Sequence, residues 1–479
     1  MSTTIAPTVR SATGTAETHR GGPLAGTRQL FITTMRHEGR LFAPWVLIAL
    51  LLSGSSVLVF PWVFPTEQSR QALSAAIGAN PATSMIFGPA YDLTTAEGFN
   101  TWRTLAIAGF LSALCAIFAV VRATRTQEDS GRAELLAAGV LGRDSRLMVG
   151  VLTALWGATV LGLVAFLGTI ACGGAWEASL LLAATYTVSG WMAAGIAAVT
   201  SQLGADARSA TSLAVGTVGT AVLLRGFTYT MDAPEWCIWA NPMSWMMETE
   251  AGLNNNWWPL LLGVGLTVVL LVVAFVLQSR RDFGQGLIVS APGPARGKIR
   301  GPWGLAVRLN RGMLLSWTVA ALALGAAFGY LSSSMSDLLT SEPSVQQMMA
   351  SGAVTEEQIV TDFLTTILSL LGIFASIPGV QIMLKLRGEE LADRLEPIIA
   401  TRITRQRTLA ANSLLAFLFS AFFICLAGTV VGALAEQAEI GVSFTEVLRQ
   451  ATAMIPAVWA VVALSVLVVG AKPRAFMLA

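Results

Sequence analysis

Two stretches concentrate charge in a chain that carries little of it. Residues 125–143 read RTQEDSGRAELLAAGVLGR, and residues 387–405 read RGEELADRLEPIIATRITR. Laid over each other 262 positions apart, they match at Arg125/Arg387, Glu128/Glu390, Arg132/Arg394, Glu134/Glu396 and Arg143/Arg405. Carboxylates interleaved with guanidiniums make short, charge-assisted and often bidentate hydrogen bonds. That chemistry grips a partner rather than breaking a bond. Glu128 and Arg132, like Glu390 and Arg394, stand four apart with the acid first, the favourable order for a helical ion pair. Pro397 directly after Glu396 suits the first turn of a new helix. The spacing predicts short paired helices joined near 395–397, with mixed charge on one side and Leu135/Leu136 or Ile398/Ile399 on the other.

Other chemistry finds little support. No phosphate-binding G-x-x-x-x-G-K-[ST] loop occurs, so the chain has no motif of its own for ATP. His19 and His37 are the only histidines and no Cys/His cluster exists, which argues against a metal site and a Ser/His/Asp set. The LSGSS at 52–56 lies within an apolar run and reads as small-residue helix packing. An enzyme working alone is not expected.

The elements that must hold the charged stretches are membrane spans. Over half of the residues are hydrophobic (54%), only 12% are charged, and the mean hydropathy is +0.65. A bilayer core takes about 20 apolar residues per helix. Ten runs qualify: 42–62, 103–122, 147–172, 178–201, 209–224, 258–278, 313–332, 363–384, 408–431 and 452–471, the fifth being short and ending at Arg225. Placing the N-terminus in the cytoplasm puts 26 of the 30 Lys and Arg on inner segments and 16 of the 28 acids on outer ones, as the positive-inside preference requires. Both charged stretches then face the cytoplasm, each after the second span of its half.

Further matches suggest that the halves are related and parallel: Arg36 and Trp45 against Arg308 and Trp317, and GADAR (204–208) against GAKPR (470–474). Solvation of an inner loop would account for the repeated arginines but not for the repeated acids, which contribute little to orientation. Docking of a cytoplasmic partner accounts for both. Residues 1–27 read as a disordered cytoplasmic tail. Cys172 and Cys237 both map to the outer side, where a disulfide is one option. Arg225, Asp232 and Glu235 read as an outer interfacial cluster. The tryptophans around WANPMSW (239–245) suggest a short re-entrant segment.

The doubled E-x-x-x-R-x-E loop, SRRDFGQGL (279–287), the linker APGPARGKIRGPWGL and RLNRGMLLSW together resemble actinobacterial ABC transporter permeases of the type 2 exporter class. The nearest group is the exporters of polyketide antibiotics and other drugs. The resemblance implies an all-α polytopic membrane protein of two tandem parallel halves, with about ten spans here against twelve in the family. The first half would be 28–282, with six spans, a connecting helix at 28–41 and a coupling loop at 125–143. A Gly/Pro linker at 283–303 would lead to a second half, 304–479, with four spans, a coupling loop at 387–405 and a shortened C-terminus. A basic stretch at 304–315 would be the second connecting helix.

The resemblance also implies partners: two copies of a separate ABC ATPase subunit that carries ATP and Mg, the lipid bilayer, and a hydrophobic or amphipathic small-molecule cargo exported across a bacterial plasma membrane. No cofactor in this chain and no nucleic acid are expected. The coupling residues would be Arg125, Glu128, Arg132, Glu134, Arg143, Arg387, Glu390, Arg394, Glu396 and Arg405. Two rivals remain at this point. One is a gradient-driven carrier of the major facilitator type, faintly suggested by EDSGR and ELADR; the other is a non-transporting membrane sensor or scaffold.

Overall fold

A computed structural model of the chain describes residues 22–78, 84, 86–131, 133–134, 141–230, 233–281, 285–288, 301–333, 356–391, 393–401, 403–438 and 442–471. Every regular element among them is a helix, and ten are long and apolar enough to cross a bilayer. The protein is an all-α, multi-pass membrane protein. A helix satisfies its own backbone polar groups in lipid, which an open sheet edge cannot. The described residues up to Ile288 form one compact unit and those from Gly301 a second.

The first unit begins with α1 (Thr27–Glu38), a polar helix that ends in a 3-10 turn, Gly39–Phe42. Pro44 stands in the first turn of α2 (Ala43–Val63), where its missing N–H costs no helical hydrogen bond. After α3 (Glu67–Gly78) come the second span α4 (Ala96–Ala123), the one-turn α5 (Arg125–Asp129), and the third to fifth spans α6 (Ser145–Ala171), α7 (Trp176–Leu203) and α8 (Ala207–Thr230). Two short helices, α9 (Glu235–Ala240) and α10 (Pro242–Trp245), precede the sixth span α11 (Trp258–Arg280).

Helix α7 is the hub of this unit and packs against α4, α6, α8 and α11. It can do so because small residues line it: Ala193, Ala194, Ala197 and Ala198 are fully buried, and Gly190 sits so close to Ala158 and Ser112 that a Cβ would clash. In lipid, association rests on such close packing and on interhelical hydrogen bonds rather than on the hydrophobic effect. Those bonds are present. Asn100 of α4 donates to Ser53 of α2 (3.2 Å), Ser53 meets Thr169 of α6 (2.8 Å), and Thr104 meets Tyr186 of α7 (2.5 Å). Four spans are thereby laced by polar groups buried together.

The second unit contains four spans among its described residues: α12 (Gly301–Ser333), α13 (Glu356–Leu391), α15 (Arg405–Gln437) and the pair α16 (Phe444–Ala453) and α17 (Ile455–Ala471), with the one-turn α14 (Glu396–Ile399) after α13. Here α15 takes the central place, against α12, α13, α16 and α17. The basic stretch 304–315 is not a separate connecting helix. It continues into the span, since no proline follows Pro302 within α12.

Several expectations are revised. The fifth span does not stop at Arg225; α8 runs on to Thr230, and Arg225 is buried, donating to the carbonyl of Ile86 at 2.9 Å. Asp232, its supposed partner, lies outside the described residues, as do Leu135, Leu136 and most of the tail and linker. All four cysteines are free. Cys172 caps α6 beside Gly54, whereas Cys237 belongs to the short helix α9.

The WANPMSW segment is built by its own side chains. Asn241 accepts from Met243 N–H and donates to the Ala221 carbonyl, Trp245 donates to the Trp239 carbonyl, and Trp239 stacks on Trp258 with ring centres 4.7 Å apart. Tyr91 and Tyr229 both donate to one oxygen of Glu248, at 2.9 and 2.6 Å. Burial, reinforced by that carboxylate, pushes the Tyr91 phenol well above its ordinary range.

Candidate functional site

The first charged stretch begins where α4 ends. Thr124 leaves helical geometry (φ −113°, ψ −85°), and its hydroxyl closes the helix on the Val120 carbonyl at 2.7 Å. Arg125 then turns inward and is fully buried. Its Nε donates to the Ser201 carbonyl at 2.5 Å and its Nη2 to the Gln202 and Gln285 carbonyls at 3.5 and 3.2 Å. Ser201 and Gln202 belong to the last turn of α7, where carbonyls have no helical partner and the helix dipole favours a cation. Arg125 therefore caps one span from the end of another.

Glu128 closes the cluster. It receives Arg125 at 3.0 Å and a two-pronged contact from Arg281 at 2.7 and 3.0 Å, with Arg146 at 3.6 Å; its side chain is only 4% exposed. Asp129, next in the chain, accepts Ala207 N–H at 2.7 Å and caps the start of α8. Arg143 donates to the carbonyls of Gln278, Ser279 and Arg281 at the end of α11, while Gln278 returns a bond to the Arg143 carbonyl at 2.9 Å. One short loop thus fastens the adjoining ends of α4, α6, α7, α8 and α11 to each other.

Two backbone segments complete it. The stretch before α1 runs alongside the loop: Gly142 N–H donates to the Ala25 carbonyl and Asp144 N–H to that of Pro23, both at 3.0 Å. After α11 the chain folds back, and Leu287 and Ile288 donate to the Gln202 and Leu203 carbonyls at 3.1 and 2.9 Å.

The second stretch repeats the start of this design. Arg387, in the last turns of α13, is buried and pairs with Glu390 at 2.5 Å, three residues on, as Arg125 pairs with Glu128. Arg405, from the start of α15, reaches the other oxygen of Glu390. The anticipated Glu390–Arg394 pair does not form. Helix α13 ends at Leu391 and Asp393 takes a left-handed φ of 56°, which turns Arg394 to Glu389 instead, at 3.4 Å. Beside Glu390 lies a cavity of about 410 Å³, lined by Leu386, Leu395, Ile399, Arg405, Val469 and Gly470.

The ten singled-out residues therefore divide. Arg125, Glu128 and Arg387 are inside the protein, and Glu390 is largely covered. Glu134, Arg143, Arg394, Glu396 and Arg405 face out. Arg132 lies outside the described residues. The one-turn helices α5 and α14 stand where paired inner helices were anticipated, with Ile399 exposed and Leu395 tucked under. Sequence reasoning missed Arg146, Arg281, Asp129 and Gln278. Arg281 sat in a quoted motif, SRRDFGQGL, but nothing in its spacing named Glu128 as its partner. Among the described residues there is no group of three or more His, Cys, Asp or Glu that could hold a metal ion.

Comparison with known proteins adds the family context. The sequence model described as "Multidrug efflux system permease Rv1217c, C-terminal domain" matches residues 68–277 and 299–479. The chain is also similar to the multidrug efflux system permease protein Rv1217c of Mycobacterium tuberculosis (strain ATCC 25618 / H37Rv), with 32% identity over 482 residues, covering 99% of this chain and 86% of that protein.

Proposed function

The chain belongs to the multidrug efflux permease family of Rv1217c, and from that premise we propose that it is the permease subunit of an ATP-driven exporter. ATP and Mg are held by a separate ABC ATPase, two copies of which serve one permease. The cargo is hydrophobic or amphipathic, and it leaves the cytoplasm or inner leaflet of a bacterial plasma membrane. The N-terminus is cytoplasmic, a reading supported by the sorting of Lys and Arg to the same side as both charged loops. The two units are tandem copies of one half; the matching Arg–Glu pairs, three residues apart and 262 positions from each other, support this.

The observation that carries the proposal is the ionic cluster around Glu128. It joins the ends of five helices to a loop whose outer face is charged and open. A partner pressing on that face moves the helix ends together, because packed, bonded elements shift as units between discrete arrangements. The roles then separate. Arg125, Glu128, Arg387 and Glu390 position the loops, while Glu134, Arg143, Arg394, Glu396 and Arg405 make the contact, with Arg132 assigned to the same surface by sequence alone.

The test is purification of the tagged chain from its host in mild detergent. Two ATPase copies per permease, and drug efflux blocked by vanadate, are the expected results. Charge reversal at Arg394 and Glu396 together should then abolish efflux while leaving the permease folded. A chain recovered alone, whose efflux is collapsed by a protonophore and untouched by vanadate, would overturn the proposal.

A further inference from the structure

At the inner end of the first unit, a cavity of about 360 Å³ opens between α1, α2, α4, α6 and α8. Its size lies within the range of roughly 300–1,000 Å³ typical of small-molecule sites. The wall is aromatic: Phe42, Trp45 and Phe118 line it, with Trp45 and Phe118 tilted against each other at 6.1 Å. The rim is charged with both signs, by Glu38 at the end of α1 and Arg122 at the end of α4. Among the described residues neither is in an ion pair, although both border the same space. Thr153 of α6 lines the cavity as well; it is 1% exposed, and its hydroxyl has no hydrogen-bond partner.

Each of these features asks for something different. An apolar wall takes a hydrophobic body. A half-buried carboxylate and a guanidinium at one mouth, not neutralising each other, are best answered by a ligand that brings a cation and an anion together. A buried hydroxyl left unpaired costs free energy that a ligand's ester or carbonyl can recover. We propose that this cavity is a binding site for amphipathic zwitterions: an ammonium opposite Glu38, an anionic group opposite Arg122, an ester or carbonyl at Thr153 and the apolar body against Trp45 and Phe118. The inference deepens the exporter reading and rests on it for the placement of the site at the inner leaflet. Phospholipids with zwitterionic headgroups and zwitterionic drugs share this chemistry.

The site is tested on the full-length permease in phosphatidylglycerol nanodiscs, without ATPase. Binding is followed by the tryptophan fluorescence that is lost in Trp45→Phe. Three probes with the same 12-carbon chain are compared: lysophosphatidylethanolamine, dodecyltrimethylammonium and dodecyl phosphate. The zwitterion should bind on the order of tenfold more tightly than either probe that carries one sign of charge. Glu38→Gln and Arg122→Gln, both at the accessible rim, should each erase that preference, and Thr153→Val should weaken the lysophospholipid severalfold. Equal affinity for the three probes, or a preference untouched by the rim substitutions, overturns the proposal.

Competition separates the sources. Displacement by phosphatidylethanolamine assigns the site to membrane lipid, displacement by the zwitterionic drug norfloxacin but not by the lipid assigns it to cargo, and displacement by neither sinks it. Loss of binding with efflux intact removes this site alone. Binding retained by a permease that exports nothing with its ATPase removes the transport reading and leaves the site.

Discussion

Glu128 and Glu390 begin alike and end differently. Each takes a guanidinium from the residue three positions before it, at the end of a long span. Glu128 is then closed in by Arg146 and by the two-pronged Arg281, and its side chain is 4% exposed. Glu390 is joined by Arg405, whose own side chain is 61% exposed; Glu390 is 21% exposed and borders a cavity of about 410 Å³. In the first unit, the chain after α11 folds back over the corresponding place, where Gln285 accepts from Arg125 and Leu287 and Ile288 pair with the end of α7. The local pair is a product of helix geometry, but its burial is a product of what the rest of the fold lays over it. The same Arg–Glu pair is therefore sealed in one unit and left partly open in the other.

The largest expected effect comes from removing the buried carboxylate. Glu128→Gln leaves Arg125, Arg146 and Arg281 crowded without the carboxylate they share, and breaking a buried ionic group of this kind costs about 3–5 kcal/mol. Glu390→Gln, in a wetter and more open site, should cost about 1 kcal/mol, as for exposed pairs. Thermal unfolding in detergent at neutral pH reads both. Equal losses would end the distinction between the two loops.

Arg281→Gln sharpens the comparison, because it should make Glu128 resemble Glu390. It removes a forked, charge-assisted contact worth about 1.5–3 kcal/mol, yet leaves Arg125 in place. A cysteine introduced at Thr126, exposed on the same turn, should become more reactive towards a water-soluble maleimide in this background as the loop opens. Unchanged labelling would show that the fold-back after α11 does not cover the loop.

How far the sequence reveals this site follows from the same contrast. Spans are legible because lipid demands long apolar runs, and the ten runs correspond to ten helices long and apolar enough to cross a bilayer among the described residues. The charged loops are legible because they stand out against an apolar background and recur at fixed spacing. Their interior is not. Arg125 and Glu134 look equally hydrophilic in sequence, yet one is fully buried and the other exposed, since the difference lies in carbonyls of Ser201, Gln202 and Gln285 that no side-chain pattern announces. Arg225 is opaque for the same reason: in sequence a guanidinium marks the end of a span, while the Ile86 carbonyl allows this one to stay inside.

Glycines give a smaller and cleaner contrast. A Cβ on Gly142 would lie 2.2 Å from the Pro23 carbonyl oxygen, so Gly142→Ala must push apart the loop and the segment before α1, at a cost of about 1–3 kcal/mol. Gly388, inside α13, has open space around it. Gly388→Ala should stabilise by about 0.5–1 kcal/mol, the usual gain for a helix interior. Unfolding midpoints that move in opposite directions are the expected result; a shared direction would contradict the close packing of the first loop.

The smallest effect concerns how one helix in each unit, α8 in the first and α15 in the second, is capped. In the first unit Asp206 accepts Ser209 N–H at 2.7 Å while its own N–H donates to the Ser209 hydroxyl at 3.1 Å, and together they start α8. The Ser209 backbone bond, assisted by Arg208, outweighs partial burial and holds the Asp206 carboxyl below its ordinary 3.8. In the second unit Thr404 caps α15 through a hydroxyl that accepts from Arg407 N–H, and it does not titrate. A carboxyl whose pKa is depressed by folding contributes stability that is full above 3.8 and is lost as the pH falls through its folded value. The start of α8 should therefore loosen under acid while that of α15 does not. Hydrogen exchange at residues 207–210 and 405–408, compared between pH 5 and pH 3 after correction for intrinsic rates, reads the difference directly. Parallel loosening of both helices would mean that the acid acts on the bundle as a whole and that the Asp206 cap has no separate share in it.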